Sequence, residues 1–168
     1  MLSDEVDQEF QDAVVSAVQR TVAALAAERP LERLAGYALT TDDSLETVGC
    51  IAVTREGLLA SDDGDLLYQP PNWPLEPDWG AFELAYSLLQ RSVDLPGDGL
   101  AHVHRSFEAL VRALEILKAK GLFGADVYLS VLSTDPSDYL VELESSAVKR
   151  LCAQAFVDAR SQFLEKWK

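Results

Sequence analysis

The chain has 168 residues, 48% of them apolar, enough for one continuous core and too few for two, so a single domain over 1–168 is expected. Twenty-eight acidic residues oppose 14 basic ones, a formal charge of -14 that weighs against nucleic acid or anionic lipid as partner and favours a basic one. Two cysteines without C-x-x-C spacing, no basic, apolar leader in "MLSDEVDQEF", and no apolar run near the ~18 residues a bilayer needs point to a soluble protein of the reducing cytoplasm.

In chain order, Val6, Phe10, Val14, Val18, Val22 and Leu25 recur three or four residues apart, which predicts a helix over Asp4 to Ala27 with Ser3 as N-cap and Pro30 as stop. "LAGYALTT" (Leu34 to Thr41) and "ETVGCIAVT" (Glu46 to Thr54) flank the turn-forming "DDSL" and read as a β-hairpin. Thr54 is placed to cap a short "REGLLA" helix. A long breaker-rich stretch follows, through "SDDGD" and "YQPPNWPLEPDWG".

Helical spacing resumes near Asp78 with Phe82, Tyr86 and Leu89 and breaks at "DLPGDG". A longer helix is predicted from Asp98 or Gly99, through Leu100, Val103, Phe107, Leu110, Val111, Leu114 and Leu117, to a stop at Gly121. "ADVYLSVLS" (Ala125 to Ser133) and "DYLVELE" (Asp138 to Glu144), joined by "TDPS", read as a second hairpin. After Ser145 or Ser146, Val148, Leu151, Ala155, Phe156, Ala159 and Phe163 mark one C-terminal helix, with Trp167 continuing its apolar stripe. The expected class is α+β: two β-hairpins forming an antiparallel or mixed sheet packed by about four helices, in the order α-β-β-α-α-β-β-α.

Catalytic signatures are weak. His102 and His104 sit two apart in a helical pattern, about 200° around the axis, so one helix does not aim both at one ion. His104 and Glu108 are better spaced but show no third ligand, and no metal or cofactor is expected. Aligning Gly64 of "SDDGD" with the sixth place of an EF-hand loop puts Leu59 and Pro70 where oxygen ligands belong. Neither a G-x-S-x-G elbow nor a G-x-G-x-x-G or P-loop pattern occurs, and Cys50 and Cys152 read as small buried apolar groups. Carboxylates such as Asp42, Asp43, Glu46, Glu56, Glu76 and Asp78 could still converge in space, so a small carboxylate- or metal-dependent hydrolase stays open as the alternative.

The acidity is uneven. Met1 to Gly80 hold 16 acids and 4 bases, net -12, against 12 acids and 10 bases in the remainder, net -2. Four prolines in "YQPPNWPLEPDWG" lower the entropy lost on ordering that loop and so hold Trp73 and Trp79 in place. Either both indoles fold inward over the sheet or the next helix, or at least one stays partly exposed among acids, the composition of an interface anchor with a charged rim.

The opening amphipathic helix, "YALTTDDSLETVG", "TREGL", the Trp/Pro segment ending in "EPDW", and "ALEILKAKGLFG" before an apolar strand together resemble the bacterial domain-of-unknown-function family numbered 4303, from about Val6 to Ser146. The resemblance implies a bacterial cytoplasmic protein and carries over no catalytic residues. By analogy with other small acidic bacterial families, a non-enzymatic binding protein is expected, in the manner of an immunity protein that neutralises a basic toxin domain. Its contact candidates are Asp42, Asp43, Asp62, Asp63, Asp65, Trp73, Glu76, Asp78 and Trp79, carboxylates steering and indoles anchoring.

Overall fold

The first helix, α1 (Leu2–Glu28), keeps the predicted register: Phe10, Val14 and Val18 are fully buried, and Val22 and Leu25 pack against the same core. It begins before Ser3, so that residue is not its N-cap. The computed structural model describes residues 2–93 and 99–166. The break predicted at "DLPGDG", Asp98 as a helix start and the apolar role of Trp167 lie largely or wholly outside the described residues.

Strands β1 (Leu34–Thr41) and β2 (Gly49–Thr54) pair antiparallel as the predicted hairpin, with Leu39 opposite Cys50 and Thr40 opposite Gly49. Thr54 caps α2 (Arg55–Ala60), its hydroxyl accepting from Gly57 N–H at 3.0 Å. Three 3-10 turns, Leu66–Tyr68, Pro70–Asn72 and Trp79–Phe82, carry the proline-rich loop to α3 (Glu83–Val93). The long helix α4 (Gly99–Ala119) ends as expected, with Gly121 at φ +80, a left-handed backbone that glycine tolerates without a Cβ clash.

The second hairpin does not form. Strand β3 (Tyr128–Ser133) pairs with β1, and in parallel, giving a mixed three-stranded sheet of order β2-β1-β3. "DYLVELE" instead opens α5 (Asp138–Leu151). Ser137, next to Pro136, is its N-cap with the hydroxyl accepting from Leu140 N–H, and Asp138 favours the positive end of the helix dipole. The buried residues Leu140, Ala147, Val148 and Leu151 show a helical period that extends past the seven residues read as a strand. The predicted C-terminal helix is likewise two: α5 stops at Leu151, Cys152 and Ala153 adopt extended backbone, and α6 (Gln154–Glu165) begins.

Alternation along β1 assigns the two faces of the sheet. Tyr37 points toward the helices, its hydroxyl 2.7 Å from Thr21 Oγ1 on α1. Gly36 points the other way, under the indole of Trp73. Helices α1, α3 and α4 pack together on the first side. The opposite side is closed by an aromatic cluster in which Tyr128 takes edge-on contacts from Tyr68, Trp73 and Phe156 at ring separations of 5.7, 6.2 and 5.9 Å. With both faces covered, β2 and β3 are buried throughout, which accounts for their nearly unbroken apolar runs.

Both lateral edges of the sheet have partners. Leu75 exchanges backbone hydrogen bonds with Ala52 of β2, at 2.8 and 3.2 Å. On β3, Leu129 N–H donates to Cys152 Sγ at 3.3 Å, the thiol donates back to Leu129 O at 3.1 Å, and Ser133 N–H donates to Glu144 Oε1 at 2.7 Å. Cys152 is therefore more than a small apolar filler. Its extended backbone between α5 and α6 brings the sulfur to the strand.

Candidate protein-interaction surface

The segment "YQPPNWPLEPDWG" is a strap seated at two points, each a tryptophan lying on a strand glycine. A Cβ on Gly36 would stand 2.5 Å from the Trp73 ring, and one on Gly49 would stand 2.8 Å from the Trp79 ring. Both glycines are needed for space, since neither has positive φ. Trp73 is only 4% exposed and its Nε1–H donates to Leu66 O at 3.0 Å, so it is a core residue. That removes Trp73 from the predicted contact set: burying the indole over β1 outweighs presenting it to solvent.

Trp79 is different. It remains 52% exposed although its ring lies against Gly49. Asp78 starts its turn by accepting from Gly80 N–H at 2.8 Å, and Arg20 of α1 donates to Ala81 O at 2.7 Å from below. Around it, Thr47, Val48, Phe82 and Tyr86 complete a shallow depression of about 390 Å³, with Tyr86 itself 45% exposed. Glu83 also lines this depression, and Glu46 and Asp78 adjoin the lining residues Thr47 and Trp79. Glu46, Glu83 and Tyr86 were not singled out as contacts by the sequence; only the four-residue spacing of Phe82 and Tyr86 hinted at a shared face.

The hairpin turn that carries Asp42, Asp43 and Glu46 is fixed in place. Asp42 Oδ1 accepts from Glu46 N–H at 2.8 Å, and Gln90 of α3 donates to Glu46 O at 2.6 Å. Leu45 takes a left-handed φ of 52°, which few non-glycine residues adopt, and is fully buried. His102 of α4 lies beneath it with Nε2 3.2 Å from Leu45 O. A carbonyl only accepts, so Nε2 carries the proton, while Nδ1 lies 3.3 Å from Ser92 Oγ. The buried histidine thus positions the acidic turn.

The remaining candidates lie elsewhere. Glu76 is exposed on the strap beside Leu75, along the β2 edge. Asp62, Asp63 and Asp65 follow α2, at the opposite end of β2 from the hairpin turn, a separation of ~17 Å along the six-residue strand. There they close their own loop: Asp63 accepts from Asp65 N–H at 2.9 Å and Gln69 Nε2 at 2.7 Å, and Asp65 pairs with Lys166 at 3.0 Å. The candidate acids are therefore dispersed, with Asp62, Asp63 and Asp65 on one loop, Asp42 and Asp43 on the hairpin turn, and Glu76 on the β2 edge. Asp78 adjoins Trp79 in sequence, and Asp42 reaches toward the depression only through the turn it closes on Glu46, next to the lining residue Thr47.

The histidines do not join these carboxylates as a cluster. His104 lines a groove between α1 and α4 with Asp7, Arg105, Glu108 and Arg112. Among the described residues, no group of three or more His, Cys, Asp or Glu side chains could hold a metal ion, and no helix is long and apolar enough to cross a membrane.

A family model described as a domain of unknown function, DUF4303, matches residues 14–153. No curated protein and no solved structure matches the chain.

Proposed function

Because the chain belongs to the DUF4303 family, whose function is unknown, its activity must be read from its own surface, and we propose that it is a non-enzymatic binding protein that docks a basic protein through Trp79. The observation that carries this reading is an indole seated on Gly49 yet half open to solvent, in a depression it shares with Tyr86 and Glu83, with Asp78 next to it in sequence. An aromatic anchor ordered before contact loses little side-chain entropy on binding, and acids around it accelerate encounter with a cationic partner. In this reading Asp42 and Asp43, on the hairpin turn that leads to the lining residues Thr47 and Val48, add to that rim. A formal charge of -14 adds a long-range field of the same sign.

The partner class that fits is a basic domain whose own substrate is polyanionic, such as a nuclease toxin, with this protein covering its cationic site as an immunity protein would. Affinity capture from bacterial cells, quantified by mass spectrometry, tests this with wild type, Trp79→Ala and Asp42→Lys/Asp43→Lys/Asp78→Lys in parallel. A basic protein should be retained by wild type, lose at least ~30-fold in affinity to Trp79→Ala, and associate more slowly with the charge-reversed variant at low salt. Co-expression with wild type should relieve that partner's toxicity. If every captured protein binds all three forms alike, the surface is not the docking site.

A further inference from the structure

A second depression, of about 230 Å³, opens on the strap side of the sheet between β3, the prolines of the strap, α5 and α6. That volume is equivalent to about eight liquid waters and falls below the ~300–1,000 Å³ of pockets for drug-sized ligands. Its apolar walls are Pro70, Pro71, Pro136 and Leu164, and its polar lining includes Ser130, Glu144 and Arg160.

Two features mark it as a built site. Ser130 is only 4% exposed and lines the cleft, yet its hydroxyl has no hydrogen-bond partner among the described residues, a buried polar group that an incoming acceptor would satisfy. The cleft also holds one side chain of each charge. Glu144 gives Oε1 to Ser133 N–H, and burial pushes its carboxyl above the usual range. The guanidinium of Arg160 acts on Glu144 through its charge, while it donates to Ser145 Oγ at 3.2 Å. Five N–H donors leave Arg160 capacity for a further acceptor.

We propose that this cleft binds a free aliphatic α-amino acid, its carboxylate held by Arg160 and the Ser130 hydroxyl, its ammonium by Glu144, and its side chain against Pro70, Pro71 and Leu164. A zwitterion matches one cation and one anion lining the same small volume. A dicarboxylate would bring unpaired negative charge to Glu144, and a simple amine would leave Arg160 without an anion. The site is independent of the Trp79 surface, so either stands if the other fails.

Calorimetric titration and thermal unfolding of the full chain with L-leucine, L-isoleucine, L-valine and L-methionine test the proposal, with leucinol and 4-methylpentanoate as analogues lacking the carboxylate or the ammonium. At least one amino acid should bind saturably and raise the unfolding temperature, with both analogues at least ~10-fold weaker. Ser130→Ala should fold with equal or greater stability, because the orphan hydroxyl is gone, and still lose ~10-fold in affinity. Glu144→Gln keeps an acceptor for Ser133 N–H and should weaken the amino acid more than 4-methylpentanoate. The proposal is overturned if no amino acid binds below about 10 mM, if an analogue binds as tightly, or if Ser130→Ala leaves the affinity unchanged.

Discussion

Gly36 and Trp73 form the contact whose energetics are most sharply determined. Trp73→Ala removes a buried indole and should cost ~3–5 kcal/mol, a large share of the ~5–15 kcal/mol that holds a domain together. Gly36→Ala in the wild type places a methyl group 2.5 Å from the ring, so the strap or strand must shift, and overpacking of this kind costs ~1–3 kcal/mol. With the indole absent the sign reverses. The same methyl then enters open space, and alanine is better than glycine within a strand by ~0.5–1 kcal/mol. The double-mutant cycle should therefore close with a coupling of about 1.5 to 4 kcal/mol, Gly36→Ala destabilising one background and stabilising the other. Urea unfolding followed by far-ultraviolet circular dichroism measures all four corners without relying on the fluorophore that is removed, and equal m-values confirm that midpoints report stability. Additivity within ~0.5 kcal/mol would refute the claim that the glycine exists to seat the tryptophan.

Gly49→Ala should lift Trp79 from its seat, 2.8 Å from the new methyl, shifting indole emission and weakening partner capture although no exposed side chain has changed; unchanged emission would mean the ring is not held there. Cys152→Ala strips Leu129 of both edge partners and should cost ~1–3 kcal/mol by chemical denaturation. In the wild type, burial raises the Cys152 thiol pKa, so a disulfide reagent near neutral pH should modify it only as fast as the protein opens. Glu108 is held below the usual carboxylate range, first by its hydrogen bond from Arg150 and also by Arg112. Its stabilising effect is therefore complete above the unfolded-state pKa and is lost as pH falls through the lower folded-state value. Arg150→Ala should lower the unfolding temperature at neutral pH and flatten its decline in acid; parallel curves would remove Glu108 from the account.

Local patterns carried most of the helices. The spacing of Phe10, Val14 and Val18 fixes α1, "DDSL" between two β-prone runs gives the hairpin, and Gly121 ends α4, because each is a decision made within a few residues. The failures lie where distant contacts decide. "DYLVELE" alternates over a short window, but Ser137 starts a helix whose buried stripe continues to Leu151. The parallel partnership of β3 with β1 joins residues ~90 apart and leaves no local trace. The same limit governs the site. Nothing near Trp73 or Trp79 says that one lies over a mid-sheet glycine and the other at a strand's open end. Net charge could not say that Asp62, Asp63 and Asp65 would sit a strand's length from Asp42 and Asp43. Ser130 did leave a mark, a lone hydroxyl in the otherwise apolar "YLSVL", legible only once Glu144 and Arg160 are seen around it.

The occupied borders of the sheet restrict how this protein can meet another. Many recognition domains lend an outer strand to a visiting peptide, which then reads backbone more than side chains. Here that route is obstructed at Ala52 by the chain's own Leu75, and at Leu129 and Ser133 by a sulfur and a carboxylate from the sequence that follows. Such plugs also deny neighbouring copies a template for stacking into fibrils. Selectivity in the docking proposed through Trp79 then rests on rings and charges projecting outward, where single substitutions retune it without disturbing the hydrogen-bonded frame.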